Sequence, residues 1–241
     1  MIDLHCHLLP GIDDGAADMA ASIALAEDAV DKGVTHIVCT PHIHSGYFDN
    51  DLSTIAKVHA DFSAALIEHN IPLKSHYAAE CRISPELLPM FANKALPYIG
   101  EWNGKDVVLL ELPHSHIPAG TDRLIGWFLR NNVQPMIAHP ERNRDIIADY
   151  NKALWLKGKG VLFQLTAGVL TGTFSDAAMQ TGFKMLEDNL VDIIASDAHS
   201  LKRRPVEMDK AYNVVSQSFG EQLSKTLFVT TPWRIASKWF Q

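Results

Sequence analysis

The sequence is organised as seven repetitions of a short apolar run followed by an amphipathic stretch with helical periodicity. The runs indicate β-strands and the stretches between them indicate helices. The predicted strands are Ile2–Cys6, His36–Thr40, Leu73–Glu80, Asp106–Leu112, Gln134–Ala138, Val161–Thr166 and Val191–Ser196. The predicted helices are Asp18–Lys32, Leu52–His69, a short helix opening at Ser84, Asp122–Asn131, Arg144–Lys157, Asp176–Asn189, Val206–Phe219 and a closing helix within residues 221–241.

This order of elements predicts an α/β fold. Strands separated by helices pair in parallel, and apolar runs such as Val107–Leu110 are typical of strands that are covered on both faces. Two architectures fit, a (β/α) barrel of seven units and an open doubly wound sheet. The chain has neither a GxGxxG nor a GxxxxGK[ST] motif, which are signatures of nucleotide-binding open sheets. We therefore predict the barrel.

The composition narrows the class of protein. A chain of 241 residues, 47% of them hydrophobic, can bury a large core, which excludes disorder. The net charge of −7 and the lack of a basic block argue against nucleic-acid binding as the main role. No apolar run is long enough to span a bilayer, and no targeting segment is recognised. The three cysteines form no CxxC motif, so we expect a reduced cytoplasmic protein without membrane insertion.

Ionisable side chains follow the ends of the predicted strands. In a barrel these ends meet on one face, where active sites form. A lone HxH or DxH pair is a weak signal, but a buried carboxylate at the end of an apolar strand requires a cation or several donors. The joint pattern predicts a metal cluster with nine candidate ligands: His5, His7, Asp14, His42, Glu80, Glu111, His139, Asp197 and His199.

The spacing of these ligands suits metal binding. Strand residues two positions apart point the same way, so His5 and His7 can hold one ion, and Asp197 and His199 repeat the spacing. Imidazoles mixed with carboxylates suit Mn, Fe, Zn or Mg. Nine ligands are too many for one ion. We therefore expect two or three divalent ions, bridged by a carboxylate, with Mn as the first candidate.

Two arginines follow the candidate ligands closely. Arg142 comes after His139, and Arg204 lies in the loop after Asp197 and His199. A guanidinium matches phosphate oxygens bidentately, so we predict that both arginines bind an anion and act in catalysis. The alternatives are surface ion pairs, for instance with Asp145 or Glu207, and anion binding by the adjacent Arg144 or Arg203. The roles of three further histidines stay open: His44, His114 and His116.

These motifs resemble the PHP (polymerase and histidinol phosphatase) superfamily. The opening Met1–Pro10, followed by Asp13-Asp14-Gly15, resembles the bacterial PHP-type protein tyrosine phosphatases of the CpsB/YwqE branch. Later matching strings are Thr40-Pro41-His42, Ala138–Arg142 and Ala195–His199. The similarity runs in order from residue 1 to about residue 235. Glu111 also favours this branch, because other members of the superfamily often carry His there.

The resemblance implies a single PHP phosphoesterase domain over residues 1–241, folded as a distorted (β/α)7 TIM-like barrel with a trinuclear metal site. It assigns the first ion to His5, His7, Glu80 and Asp197, the second to Glu80, Glu111 and His139, and the third to Asp14, His42 and His199. Arg142 and Arg204 match the phosphate-binding arginines of the family. The implied substrate is a tyrosine-phosphorylated protein, a bacterial tyrosine kinase that governs capsule or exopolysaccharide synthesis.

The leading hypothesis is therefore hydrolysis of phosphotyrosine by a metal-bridging hydroxide, with the arginines neutralising the phosphoryl oxygens. A cysteine-based phosphatase is excluded, since it requires Arg six residues after Cys and these positions hold Ile12, Ser45 and Leu87. The alternatives are a small-molecule phosphatase of the histidinol-phosphate type, a phosphodiesterase or nuclease, and a catalytically silent metal-binding domain. The sequence leaves open the oligomeric state and any general acid.

Overall fold

A computed structural model describes the whole chain, residues 1–241. Its strands are β1 Ile2–Cys6, β2 His36–Cys39, β3 His42–Ile43, β4 Lys74–Tyr77, β5 Glu80–Arg82, β6 Gly100–Trp102, β7 Lys105–Glu111, β8 Val133–Ala138, β9 Leu162–Thr166 and β10 Ile193–Ala195. Its helices are α1 Met19–Asp31, α2 Leu52–Glu68, α3 Leu87–Ala92, α4 Thr121–Arg130, α5 Arg144–Ala148, α6 Asn151–Lys157, α7 Ala167–Leu170, α8 Asp176–Glu187, α9 Met208–Phe219, α10 Glu221–Lys225 and α11 Thr231–Ala236.

The strands form two sheets, in the orders β1-β2-β4 and β10-β9-β8-β7-β5-β3. Every pair is parallel except β6, which lies antiparallel to β7. Three of the long helices, α1, α2 and α8, begin where a polar side chain accepts a backbone N–H of the first turn, namely Asp18, Asp51 and Ser175. The predicted α/β class with parallel strand pairing is confirmed.

The sheets separate where the predicted strand Leu73–Glu80 is interrupted and where an additional short strand, β3, follows the predicted strand His36–Thr40. The predicted strand Leu73–Glu80 is two strands, β4 and β5, and β2 is separated from β3 around Pro41. Pro41 cannot donate a ladder hydrogen bond, because its ring replaces the N–H. After the interruption β3 pairs with β5 in a register that places His42 beside Glu80. The interruption therefore brings two candidate metal ligands together.

Backbone hydrogen bonds connect the two sheets at their other border. The N–H of Asp197 donates to the carbonyl of His5 at 2.7 Å, and the N–H of His7 donates to the carbonyl of Ala198 at 2.9 Å. The end of β1 is therefore held against the segment that follows β10. Candidate ligands from the first and the last strand meet at this border.

Alternation along the strands decides which side chains reach the site. Val107 and Leu109 on β7, and Leu162 on β9, belong to a small inner cluster of buried apolar side chains. Their neighbours on the opposite strand face pack in a larger apolar cluster. Glu111 and Gln164 continue the inner rows because side chains two residues apart share a face. The polar site thus lies at the end of the inner apolar cluster.

Several elements differ from the prediction. The missed strand β6 turns into β7 through Asn103 and Gly104, which both have positive φ, and an Asn-Gly pair is a hairpin signal that the sequence contained. The predicted helix Arg144–Lys157 is two helices, because Asp149 is extended and accepts the N–H of Asn151 at the start of α6. The predicted closing helix is four short helical segments within residues 221–239. No helix of the chain combines the length and the apolar character that crossing a bilayer requires.

Candidate metal centre

Six of the nine candidate ligands lie at or just beyond the carboxyl ends of strands, as predicted, whereas His42 and Glu80 are the first residues of the short strands β3 and β5. Eight of them sit on or after β1, β3, β5, β7, β8 and β10, and Asp14 comes from the loop before α1. His139 and Asp197 have positive φ values of 33° and 51°. This left-handed backbone is unusual for residues other than glycine and redirects the chain directly after β8 and β10.

Four side-chain atoms from three parts of the chain form a cage. Nε2 of His5 lies 3.2 Å from Nε2 of His7. Oε2 of Glu80 lies 3.3 Å and 3.4 Å from these two nitrogens, and so does Oδ1 of Asp197. A tetrahedral ion with ligands at about 2.0–2.1 Å separates its ligand atoms by about 3.3–3.4 Å. Each carboxylate therefore lies at ligand spacing from both imidazoles, and His5, His7 and Glu80 form one compact group of potential ligand atoms, while Asp197 forms another with His5 and His139.

A second group of ligand atoms adjoins the cage. Oδ1 of Asp14 lies 3.4 Å from Nε2 of His42 and 3.3 Å from Nε2 of His199. The imidazole of His7 lies against that of His199, with ring centroids 3.8 Å apart and an angle of 33° between the ring planes. This group contains the three residues that the resemblance assigns to one ion, with His7 close enough to join them.

The third group of ligands that the resemblance implies, Glu80, Glu111 and His139, does not form one compact set. Nε2 of His139 lies 2.8 Å from Oε1 of Glu80. Glu111 shares a compact group of potential ligand atoms with Glu80 and His42, but not with His139. Arg82 lies 2.8 Å from Oε2 of Glu111. Glu80 is thus the side chain that links all three groups.

Burial and neighbouring charges shift the pKa values of the candidate histidine ligands in different directions. Burial alone would lower the pKa of His5, but the carboxylates of Glu80 and Asp197 outweigh it and raise the pKa. Burial lowers the pKa of His139 to about 3 and that of His199 to about 4. The imidazoles of His139 and His199 are therefore neutral near pH 7, which is the form that binds a metal.

The pKa values of the buried carboxylates are shifted in opposite directions. Burial opposes ionisation of Glu80 and Asp197, but the neighbouring histidines, and for Asp197 also the two arginines, hold both pKa values well below the ordinary range. Burial and the nearby Glu80 raise the pKa of Glu111 to about 7. Crowded carboxylates of this kind repel one another unless a cation lies between them.

The ligand types and unpaired atoms fit divalent metal ions. Oε2 of Glu80, Oδ1 of Asp197 and Nε2 of His199 are buried without a hydrogen-bond partner. Buried polar atoms are normally satisfied, so lone pairs that converge without donors point to a bound cation. Neutral imidazoles and carboxylates together are the donor set of Mn, Fe or Zn sites.

The two predicted arginines converge on one of the candidate ligands. Arg142 and Arg204 each form an ion pair with Oδ2 of Asp197, the carboxylate whose other oxygen faces the cage. Nε of Arg204 is buried and has no hydrogen-bond partner. The alternative ion pairs are not formed, since Asp145 pairs with Lys152 and Glu207 with Lys210. Both guanidinium groups therefore stand beside the candidate ligands with donors to spare.

Comparison with known proteins agrees with this geometry. The family model for capsular polysaccharide synthesis proteins, CpsB/CapC, matches residues 1–237. The tyrosine-protein phosphatase YwqE of Bacillus subtilis is 35% identical over 223 residues, covering 92% of this chain and 87% of that protein. This chain belongs to the CpsB/CapC family. The resemblance inferred from the motifs is confirmed.

Other members of the CpsB/CapC family agree in sequence and in structure. The putative tyrosine-protein phosphatase CapC of Staphylococcus aureus is 32% identical, covering 88% of this chain and 82% of that protein. A solved structure from the crystallographic work on Bacillus subtilis YwqE and Streptococcus pneumoniae CpsB, described as unique metal-dependent tyrosine phosphatases, superposes with a TM-score of 0.92. It is 33% identical and covers 98% of this chain and 94% of that one.

Two polar residues that orient ligands in this CpsB/CapC chain were not predicted as site residues. Oε1 of Gln164 lies 2.7 Å from Nδ1 of His5 and accepts the backbone N–H of His139 at 3.3 Å. Oδ2 of Asp13 lies 2.7 Å from Nδ1 of His7. A partner on the second ring nitrogen fixes the tautomer that leaves Nε2 free for a metal. The signal for Asp13 was its place beside Asp14, whereas Gln164 had only its position on β9.

Replacement of Asp13 by alanine is expected to weaken metal binding by about 10–100-fold. The carboxylate also accepts the backbone N–H of His42 at 3.0 Å, so its loss frees two ligands at once. Metal titration monitored by calorimetry measures the effect. Asp13→Asn keeps an acceptor oxygen and is the matched control, which should retain most of the affinity. Equal affinity of Asp13→Ala and the parent protein would remove the orienting role.

An aromatic ring supports both arginines of the site. The guanidinium carbon of Arg142 lies 4.6 Å from the ring centroid of Phe174, and that of Arg204 lies 6.0 Å away. The loop that carries the ring is held by Glu207, which accepts hydrogen bonds from the hydroxyls of Thr171 and Thr173. The ring therefore restricts both guanidinium groups from one side.

Replacement of Phe174 by leucine is expected to lower kcat/KM by about three- to thirtyfold, the range that follows from losing a cation–π contact. Phe174→Tyr keeps the ring and should stay close to the parent enzyme. Steady-state kinetics on a phosphotyrosine peptide, with the bound metal measured in parallel, separates this effect from a loss of metal. A Phe174→Leu enzyme with unchanged kcat/KM would contradict the supporting role.

The remaining histidines and the cysteines lie outside the cage. His44 stacks on the exposed Tyr47. His114 is half-exposed, 4.0 Å from Glu111, and its backbone carbonyl accepts the N–H of Arg144. His116 contacts the hydroxyl of its neighbour Ser115. The three free cysteines are fully buried and therefore belong to the core: Cys6, Cys39 and Cys81.

Proposed function

We propose that this chain is a metal-dependent protein tyrosine phosphatase. The observation that carries the proposal is the cage of His5, His7, Glu80 and Asp197. The carboxylate of Asp197 in this cage also forms ion pairs with the two arginines. Side chains that can bind metal ions and side chains that can bind phosphate therefore lie side by side at Asp197. Hydrolysis of a phosphate monoester requires both. YwqE and CpsB, which are described as metal-dependent tyrosine phosphatases, support the same activity.

We assign the nine predicted ligands to two or three divalent ions, with Mn as the first candidate. The cage would hold one ion, the group of Asp14, His42 and His199 a second, and Glu80 with Glu111 and His139 a third. Bound divalent ions supply Lewis acidity, which neutralises phosphate oxygens and lowers the pKa of water.

The other side chains position the substrate. Arg142 and Arg204 bind the phosphoryl oxygens and stabilise the charge that they carry in the transition state. Phe174 holds both guanidinium groups in place. Gln164 and Asp13 keep the cage histidines in the tautomer whose Nε2 faces the site. The phenolate that leaves phosphotyrosine is a better leaving group than an alkoxide, because the phenol pKa is about 10.

The biological setting extends the proposal. The family name links the chain to capsular polysaccharide synthesis, and the substrate we propose is a tyrosine-phosphorylated bacterial kinase of that process. We further propose that residues 1–241 form one domain and that the two sheets close into a distorted (β/α)7 barrel through the contact of β1 with the segment after β10. The three free buried cysteines fit a reducing cytoplasm.

The test of this function compares substrates on the Mn-loaded protein. Initial rates are measured on a phosphotyrosine peptide, on histidinol phosphate and on a phosphodiester. The proposal predicts a strong preference for the peptide in kcat/KM. A preference for histidinol phosphate would keep the site and replace the substrate, and a preference for the diester would favour a phosphodiesterase. Bound metal without turnover of any phosphoester would favour a silent binding domain.

A further inference from the structure

A cavity of about 380 Å³ lies beside the metal cluster, next to His199. One wall is apolar and comes from α1 and the residues before it, including Ala17, Ala21, Ala24 and Leu25. The opposite wall is the loop that follows β10. Apart from His199, none of these wall residues has a role in the proposed hydrolysis. The volume is in the range of ligand-binding clefts, about 300–1,000 Å³.

The loop after β10 joins this cavity to the phosphate-binding arginines. Ser200 and Arg204 exchange backbone hydrogen bonds at 3.2 Å, which makes the loop a closed turn. Arg204 at its end pairs with Asp197 in the site. Lys202 and Arg203 in its middle line the cavity. A phosphate held by Arg204 would therefore carry its flanking chain past the mouth of the cavity.

The rim of the cavity combines apolar and positive groups. Leu201 is 48% exposed, and the side chains of Lys202 and Arg203 are exposed and form no ion pair with any carboxylate of the chain. The two positive charges are adjacent and lie on the same rim. Their charge favours an acidic partner at short range.

We propose that the cavity is a peptide subsite of the phosphatase. It would take an apolar side chain next to the phosphotyrosine, while Lys202 and Arg203 would bind an acidic side chain beside it. This inference rests on the proposed function, because it assumes a phosphorylated peptide at the arginines. His199 in the cavity wall, the short loop that leads from the cavity to Arg204, and the positive rim support a peptide as the occupant.

The test uses two double variants and three substrates. Ala21→Leu with Ala24→Leu fills the cavity, and Lys202→Glu with Arg203→Glu reverses its charge. The substrates are a short phosphotyrosine peptide flanked by Asp and Leu, the same peptide with Lys and Ser at those positions, and 4-nitrophenyl phosphate. Each variant should raise KM for the acidic peptide about tenfold, equivalent to about 1.4 kcal/mol. Turnover of 4-nitrophenyl phosphate should change less than about twofold, since it does not reach the cavity.

Matched controls come from the same kinds of position. Ala20→Leu adds the same side chain to α1 outside the cavity, and Lys225→Glu reverses an exposed charge on α10. Neither should change KM for any substrate. Equal KM values for the two peptides on the parent enzyme, or KM shifts of the same size on all three substrates, would overturn the subsite. A change of oligomeric state in the Ala21→Leu, Ala24→Leu variant would overturn it as well and make the cavity an interface between copies.

If the proposed phosphatase function is wrong, the experiment gives a result that differs from failure of the subsite. The parent protein would then hydrolyse neither phosphotyrosine peptide nor 4-nitrophenyl phosphate. Fluorescence polarisation with the labelled acidic peptide still tests the subsite in that case. Binding that weakens about tenfold in both double variants supports the cavity as the peptide site, and binding that is unchanged in both overturns it.

Discussion

Stripping divalent metal with a chelator is expected to lower the phosphatase activity about a thousandfold or more, and adding Mn²⁺ back is expected to restore it. Among the nine candidate ligands, the buried carboxylates of Glu80 and Asp197 and the imidazole of His199 each have an atom without a hydrogen-bond partner. Without ions the charge on the phosphoryl oxygens loses several kcal/mol of stabilisation, and each 1.36 kcal/mol is about tenfold in rate. Rates on a phosphotyrosine peptide before and after metal removal measure the effect.

The control for metal removal is modification of the cysteines. Burial raises the pKa of the Cys81 thiol, and all three thiols are inaccessible, so none is an activated nucleophile. Treatment with iodoacetamide and the single replacements Cys6→Ala, Cys39→Ala and Cys81→Ala should leave most of kcat, even where a replacement lowers stability. Turnover that survives the chelator but disappears with the thiols would contradict the metal-based account.

Replacement of Arg142 by alanine is expected to lower kcat/KM for phosphotyrosine about 10²–10³-fold while the bound metal is retained. The same result is expected for Arg204→Ala. A guanidinium that binds the phosphoryl oxygens acts mainly in the transition state, where removal of one fixed donor has an effect of this size. Lysine restores the charge but not the bidentate geometry, so Arg142→Lys should recover only part of the rate.

The matched control is Arg144→Ala. Arg144 is exposed, lies two residues from Arg142 and forms no ion pair with the site. Its replacement should change kcat/KM by less than about twofold. Metal content is measured for each variant, because Arg142 and Arg204 also bind Asp197. If kcat/KM falls in proportion to the bound metal, the arginines act by holding Asp197 in place and not by binding the phosphate.

The sequence was sufficient to predict the α/β class and which side chains gather at the strand ends. Periodicity marks each strand, and the carboxyl ends of parallel strands face one way, so His5 and Asp197 could be placed near each other from the sequence alone. The interruption around Pro41 was not predicted as a boundary between two sheets. It depends on how β3 pairs with β5, a contact between distant parts of the chain.

The residues that support the site were harder to predict, because their partners lie far away in the sequence. Gln164 acts on His5 across 159 residues. Phe174 stands in a loop whose shape depends on Glu207, which lies one helix and one strand further along the chain. Asp13 is the exception, since its partner His7 is only six residues away. Local sequence patterns therefore predict the candidate ligands at strand ends. The residues that orient these ligands depend on packing between distant parts of the chain.

The most direct test of the account is a titration of metal-free protein with Mn²⁺, in which bound metal and kcat/KM for a phosphotyrosine peptide are measured at each step. The account predicts that activity rises with bound metal and reaches its maximum at two or three ions per chain. His5→Ala, which removes one corner of the cage, should lower both quantities together. Full activity at negligible metal content, or a fully loaded protein that leaves the peptide intact, would contradict the account.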